Sequence, residues 1–293
     1  MSTAVPLVTV QAPAMTRRGR AVGLLRGTGV AGMLSAAVIA LATVIALIGG
    51  LIAPFNPTSP NLALAFVGPT GAHLLGFDYG GRDVLSRLLA GAGSSMLGPL
   101  AVVVGALVIG TLLAVIAAWR RGLVDAFIGS GLDILFAFPG ILLAVLAAAV
   151  FGAGLWAAAI SLAIAYMPYV ARVLRGAAMK ERSQPYVAAL EVQGASGAVI
   201  CLRHIVPNIM PLIVAQATIL FGYAMVDLAA ISFLGLGVQP PAPNWGVMIS
   251  ENQTGIPQGY PLPALAAGAC IVAVVIAFNL LGERLFEQAQ ARR

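Results

Sequence analysis

The chain contains very few charged residues. Asp, Glu, Lys and Arg make up 9% of its 293 residues, whereas apolar residues make up 60%. Soluble domains carry about a quarter charged residues. The composition therefore excludes an ordinary soluble domain and indicates an integral membrane protein.

Lysine occurs only once, as Lys180, between Met179 and Glu181. A phosphate-binding loop of the Gly-x-x-x-x-Gly-Lys-Ser/Thr type needs a lysine directly after a glycine. The chain therefore cannot hydrolyse ATP by that route.

Histidine and cysteine are also scarce, with two residues of each. The hydropathy pattern places His73 and His204 on opposite sides of the membrane, so they cannot share a metal or a catalytic site within one subunit. This disfavours a zinc protease and a Ser/His intramembrane protease. Cys201 and Cys270 lie far apart in the sequence, and we expect no disulfide.

Long apolar stretches fill most of the chain after residue 29. A transmembrane helix needs about 20 predominantly apolar residues. We predict one membrane domain over residues 29–293, with six spans near residues 30–52, 97–118, 134–151, 155–173, 209–234 and 262–281.

Basic residues are distributed unevenly between the two sides of these spans. With the N-terminus inside, every Arg and Lys except Arg82 and Arg87 falls on the cytoplasmic side, as the positive-inside rule requires. We therefore expect both termini in the cytoplasm, with residues 1–28 forming a cytoplasmic tail. The net charge of +6 then reflects orientation and does not indicate nucleic-acid binding.

Several motifs follow one another in a fixed order. They are LGFDYGGRDVLSRLLAGA at residues 75–92, DILFAFP at 133–139, YVARVLRG at 169–176, SFLGLGVQPP at 232–241, WG at 245–246 and FNLLG at 278–282. In order and spacing they resemble the C-type permease subunit of ABC importers for dipeptides, oligopeptides and nickel. The resemblance covers nearly the whole chain after residue 30.

The resemblance implies the type I ABC importer permease fold, an all-α membrane protein with six transmembrane helices and a cytoplasmic coupling helix-turn-helix within residues 180–207. It implies a bacterial plasma (inner) membrane location. The implied partners are membrane lipid, a homologous second permease, two cytoplasmic ABC ATPase subunits and an extracytoplasmic substrate-binding protein. ATP and Mg would be bound by the ATPases, so we expect no cofactor, metal or catalytic residue in this chain.

The loop between the fourth and fifth predicted spans matches the family's contact with the ATPase. The family glycine falls on Gly194, and its usual glutamate is replaced by Ala188. Because glycine can adopt the positive φ that ends a helix and serine can cap the next one, we predict a helix, a glycine turn and a second short helix. The ATPase-coupling residues are then Tyr186, Ala188, Ala189, Gly194, Ala195, Ser196, Arg203 and Pro207. The alternative is that Gly194 only ends a helix in a connecting loop.

One acidic residue, Asp227, lies in the outer half of the fifth predicted span. A charge at the bilayer centre costs at least about 2.5 kcal/mol, so Asp227 should face protein or water. It either hydrogen-bonds a helix cap near the outer surface or lines the translocation pathway, where it would meet a peptide amine.

Other motif residues are interpreted structurally. We expect Arg82 and Asp83 on a solvated face at the membrane surface, and Trp245 at the membrane–water interface. Asp133 is expected at the cytoplasmic start of a span, where the helix dipole favours a carboxylate by about 0.3–1 kcal/mol. Pro139 is expected to kink the same span.

The function implied by the resemblance is import of di- or oligopeptides through a cavity shared with the second permease. A nickel-chelate importer permease is one alternative. A secondary transporter independent of ATPases is another, although it would need inverted repeats and ion ligands at the midplane, and these spans contain few charges.

Overall fold

The computed structural model describes residues 29–291, which are almost entirely helical. Ten α-helices and no β-strand form within that range. In chain order they are α1 (Gly29–Ile52), α2 (Val84–Arg120), α3 (Gly122–Phe136), α4 (Gly140–Phe151), α5 (Leu155–Arg182), α6 (Pro185–Val192), α7 (Gly197–Ile200), α8 (Val206–Phe233), α9 (Trp245–Asn252) and α10 (Leu262–Ala291). The predicted all-α fold class is confirmed. The predicted tail, residues 1–28, lies outside the described residues.

Five helical stretches in the described part of the chain are long and apolar enough to cross a membrane. They are α1, α2, α5, α10 and the helical run 197–233 that contains α7 and α8. The bent pair α3 and α4 makes a sixth crossing if the two helices are counted as one span.

The predicted third span, residues 134–151, is not one helix. α3 ends at Phe136, α4 begins at Gly140, and the two helices are bent by 81° relative to each other. Pro139 is the N-cap of α4. A proline has no amide hydrogen for the preceding turn, and its ring clashes with the carbonyl there, so the chain breaks where a kink was predicted.

This break also changes the position of Asp133. The residue lies in the last turn of α3, where the helix dipole disfavours a carboxylate, so the expected start of a span at Asp133 was wrong. Its partner is instead a cation, because Arg172 of α5 donates to it over 2.7 Å.

α2 is the central helix of the bundle and packs against α1, α5 and α8. Its glycines allow α5 to approach closely. A Cβ at Gly110 would lie 2.7 Å from Val170 Cγ1, and one at Gly105 would lie 3.0 Å from the Ala163 Cβ. Small residues at such contacts let helix backbones approach each other within lipid.

The two ends of α2 contact two different connections of the chain. The helix begins after the loop 53–83, and its last turn holds Trp119, which contacts Gly197 closely enough that a Cβ there would lie 2.5 Å from the ring. Helix α2 has 37 residues, which corresponds to a length of about 55 Å. The loop 53–83 and the segment 185–207 therefore lie at opposite ends of the bundle.

The predicted second short helix differs from the structure. α7 has four residues and continues through a π turn, Cys201–Ile205, into α8. The 185–207 segment therefore consists of one short helix, a turn, and an N-terminal extension of a long helix.

Candidate functional site

The turn after α6 forms as the sequence predicts. Gly194 has φ +80°, its amide donates to Glu191 O over 3.0 Å, and the amide of Ala195 donates to Leu190 O over 3.0 Å. This pair of bonds is the Schellman motif, which places a residue in the left-handed region directly after a helix. Ser196 then caps α7 by accepting from the amide of Val199 at 3.4 Å.

The inner face of the 185–207 segment is packed against the bundle. Val187 of α6, Ile200 of α7 and Ile205 of the π turn are buried and contact Val115 and Ala178, near the ends of α2 and α5. Because close-packed contacts transmit strain, a displacement of α6 must be accommodated by these two long helices.

Polar contacts fix α6 to the end of α5. Tyr186 donates its hydroxyl to Glu181 Oε1 over 2.8 Å, and the Asn208 amide donates to the same oxygen over 2.8 Å. Burial and the bond to Glu181 raise the pKa of Tyr186 to about 12, so the hydroxyl keeps its proton at neutral pH. Arg182 pairs with Glu191 at 2.8 Å and stacks on the Trp119 ring at 4.0 Å.

The outer face of the same segment is exposed. Ala188 and Ala189 point to the surface, and Val192, an apolar residue, is 90% exposed. Arg203 and Pro207 are exposed further along the chain, and Ala195 is half-buried. The segment therefore presents a small, partly apolar surface on a rigid base.

Asp227 lies on α8 at the wall of an open cavity of about 440 Å³. Its carboxylate accepts a hydrogen bond from the Tyr166 hydroxyl of α5 over 2.6 Å. Of the two readings of Asp227, the structure therefore favours a position on a cavity over a bond to a helix cap. The other lining residues are mostly aromatic or small: Phe136, Phe138, Gly140, Leu162, Ala165, Tyr169, Leu220 and Tyr223.

The break between α3 and α4 helps to form this cavity. Phe136 ends α3, Phe138 lies in the break, and both side chains are about half exposed. Tyr169, one turn after Tyr166, and Tyr223, one turn before Asp227, line the remaining walls. The result is an aromatic cavity with one carboxylate.

The residues expected on a solvated face at the other end of the bundle are buried. Arg82 is 4% exposed and donates to Asp78 over 2.8 Å and to Glu251 over 3.0 Å. Arg87 is fully buried and donates to the same Glu251 carboxylate over 2.7 Å. Two arginines and two carboxylates thus balance each other in an ionic cluster (Asp78, Arg82, Arg87, Glu251).

Asp83 is also buried, at 4% exposure, so the expectation of a solvated face was wrong for it too. One carboxylate oxygen caps α2 through the amide and hydroxyl of Ser86, and the other contacts His73 Nδ1 at 2.9 Å. Ser86 Oγ in turn accepts from the amide of Phe55 over 3.0 Å. Asp83 therefore fixes the start of α2 to the loop that precedes it.

Trp245 does not lie at the membrane–water interface as expected. It is 4% exposed, its indole donates to Leu88 O over 3.0 Å, and its amide donates to Ser95 Oγ over 2.9 Å. The residue therefore fixes α9 to α2 inside the protein.

Sequence reasoning did not identify several of these side chains. Tyr166 was not identified, and Arg172 was recognised only as part of a motif, without its contacts. Both lie on α5 and their partners lie on other helices, so no local pattern pairs them. Glu181 and Arg182 could have been found, since they are two of the few charges in the chain and lie directly before the predicted ATPase contact.

Comparison with known proteins gives the family. The family model described as a binding-protein-dependent transport system inner membrane component matches residues 106–292. A dipeptide transport system permease protein of Alkalihalophilus pseudofirmus is 38% identical over 231 residues, covering 79% of this chain and 75% of the relative. A glutathione transport system permease protein of Shigella sonnei is 40% identical over 261 residues, covering 86% and 84%.

A solved structure supports the fold. The MetNI methionine ABC transporter, in an inward-facing conformation, contains a chain that matches with a TM-score of 0.55 at 20% identity, covering 69% of this chain and 96% of that one. The type I importer permease fold predicted from the motifs is confirmed.

Proposed function

The chain belongs to the family of inner membrane components of binding-protein-dependent transport systems, and we propose that it imports di- or oligopeptides as one of two permeases in an ATP-driven complex. It is the permease subunit of an ABC importer, a transport component, and we propose that ATP hydrolysis takes place in the partner ATPases. The alternative of a secondary transporter is therefore not retained.

The proposed complex contains a homologous second permease, two cytoplasmic ATPase subunits that bind ATP and Mg, and an extracytoplasmic binding protein. Both termini of this chain are in the cytoplasm of the bacterial cell. The proposed orientation is supported by the basic residues, since Arg120 and Arg121 lie at the end of α2 next to the 185–207 segment. Among the basic residues that the structure describes, only Arg82 and Arg87 lie at the other end.

The proposed coupling role rests on one observation: α6 has one exposed face, and its opposite face packs against α2 and α5. Val192 is 90% exposed, which leaves apolar surface available for a partner. Beneath it, Val187 and Ile200 pack on α2 and α5, so motion of an ATPase bound to α6 would reach α5, which lines the Asp227 cavity. The proposed coupling residues remain Tyr186, Ala188, Ala189, Gly194, Ala195, Ser196, Arg203 and Pro207.

The proposed cargo is peptide. The relatives named for dipeptide and glutathione transport cover most of this chain at 38–40% identity. The Asp227 cavity supports the same cargo, since a carboxylate among aromatic rings is suited to a protonated amine on an organic ligand. Asp227 is accordingly proposed to lie on the translocation pathway.

The test measures uptake of a labelled dipeptide into proteoliposomes. They contain this chain, the second permease and the ATPases of the same complex, and the binding protein. We expect uptake that requires ATP and that excess unlabelled dipeptide or glutathione reduces. Uptake that persists without the ATPases would contradict the coupling proposal. Uptake of nickel chelates but not of peptides would contradict the proposed cargo and support the alternative of a nickel-chelate importer.

A further inference from the structure

A second charged residue lies at the rim of the Asp227 cavity. The Arg172 guanidinium stacks on the ring of Phe136 at 4.7 Å, and Phe136 lines the cavity. Arg172 also follows Ala165, another lining residue, by seven positions on α5, which places the two on one helix face. The cavity therefore has a carboxylate on one wall and a guanidinium at its rim.

The separation of the two charges can be estimated from α5. Asp227 is fixed to Tyr166, and Arg172 lies six residues further along the same helix, a rise of about 9 Å. An extended peptide spans at most about 3.3–3.6 Å per residue. This axial rise is of the same order as the length of a peptide of two or three residues.

Each charge has an internal partner that a bound ligand would have to replace, a short charge-assisted hydrogen bond at Asp227 and an exposed ion pair at Arg172. Asp227 accepts from Tyr166, a neutral phenol, over 2.6 Å. Arg172 pairs with Asp133 at 2.7 Å, but the two side chains are 52% and 71% exposed, and exposed pairs of this kind contribute little to stability. A ligand with both an ammonium and a carboxylate can replace both partners.

We infer that this cavity binds zwitterionic di- and tripeptides at two points, with the peptide ammonium on Asp227 and the peptide carboxylate on Arg172. The inference rests on the proposed peptide import and names the substrate class of that site. Tyr166 and Asp133 are the internal partners of the two charges between transport cycles, and they compete with the peptide for them. Selection for short peptides with free termini is thus partly a property of the permease itself.

The alternative explanation is purely structural: the ion pair between Arg172 and Asp133 only connects α5 to α3. Arg175 provides a control for it, because it lies one turn further on α5 and pairs with Asp125 of α3. Both arginines join the same two helices, but Arg172 alone stacks on a residue that lines the cavity.

The experiment measures binding by calorimetry to the purified complex of both permeases and the ATPases, without binding protein. The ligands are alanyl-alanine, its N-acetyl derivative and its C-terminal amide. Loss of one bond to a charged group corresponds to about a tenfold or larger change in Kd. We expect alanyl-alanine to bind about tenfold more tightly than either blocked peptide.

The variants separate the two contacts. Asp227→Asn should remove the preference for the free amine alone, and Arg172→Gln should remove the preference for the free carboxylate alone. Tyr166→Phe should strengthen binding of alanyl-alanine, because the competing donor is gone, whereas Tyr223→Phe in the same cavity should not. Arg175→Gln should keep both preferences.

Three results would overturn the inference: equal binding of the three peptides, the same change in Arg172→Gln and Arg175→Gln, or no binding of alanyl-alanine by a complex that imports it. The proposed peptide import would still stand in each of these cases, provided that the wild-type complex takes up alanyl-alanine with ATP. Absence of that uptake for any peptide would instead contradict the proposed function.

Discussion

The turn at Gly194 provides the sharpest test of the coupling proposal. Gly194 has φ +80°, and no neighbouring atom lies within 4 Å of a Cβ added there. The Cβ of a valine would therefore have room, and the cost within this chain would come chiefly from the left-handed backbone, about 1–2 kcal/mol. An energy of this size lowers the population of the native turn by a factor of about 5–30.

We expect Gly194→Val to insert and assemble normally but to separate ATP hydrolysis from transport. The bundle does not depend on the turn, because Val187 and Ile200 keep their contacts with α2 and α5. The assay compares ATPase activity of the reconstituted complex, with and without loaded binding protein, and peptide uptake in the same vesicles. Uptake and the stimulation of ATPase by binding protein should fall together, while the amount of complex should not change.

Gly259→Val is the matched control. Gly259 has φ +89° and also has no atom within 4 Å of an added Cβ, so the backbone strain is the same. It lies in the connection between α9 and α10, at the end of the bundle away from the 185–207 segment. Full uptake and full stimulation in Gly194→Val would mean that the segment is a mere connector, and equal losses in the two variants would mean that strain alone is responsible.

Three further predictions concern other parts of the chain. Ala188→Glu should leave uptake unchanged, because residue 188 is exposed on α6 and a glutamate there restores the residue usual in the family. In a cysteine-free background, a cysteine at the exposed Ser59 should react with an impermeant maleimide added to intact cells, and one at the exposed Gln193 should not; labelling of residue 193 from outside would reverse the orientation. Arg87→Leu should lower the free energy of unfolding by up to about 3–5 kcal/mol, since Asp78 and Glu251 would then share Arg82 as the one cation of the ionic cluster; a melting temperature like that of the wild type would contradict the stabilising role of this cluster.

The sequence alone predicted the properties that depend on local composition and spacing. Six apolar windows and few charges establish a membrane protein because each span must satisfy its own backbone hydrogen bonds in lipid. The left-handed turn at Gly194 and the cap at Ser196 were also predicted correctly, since both are set by residues within one or two helical turns.

The errors occurred where a distant residue determines the environment. Arg82 and Asp83 look like surface charges in the sequence, but Glu251 and His73 complete their pairing in the folded chain, and a paired, hydrogen-bonded charge can be buried. Trp245 likewise finds its acceptor on Leu88 of α2.

Only the tertiary structure placed Asp227 beside Tyr166, and Arg172 beside Phe136. Each pair joins residues of different helices, and helix periodicity gives no information about which helices meet. The break at Pro139 was also only partly predictable. Proline predicts a kink or a break in a helix, but the 81° bend and the cavity beside it depend on how α4 packs against α5. Local sequence therefore determined that this permease is a membrane protein and where the chain turns. The packing of distant helices determined which side chains surround Asp227 and Arg172.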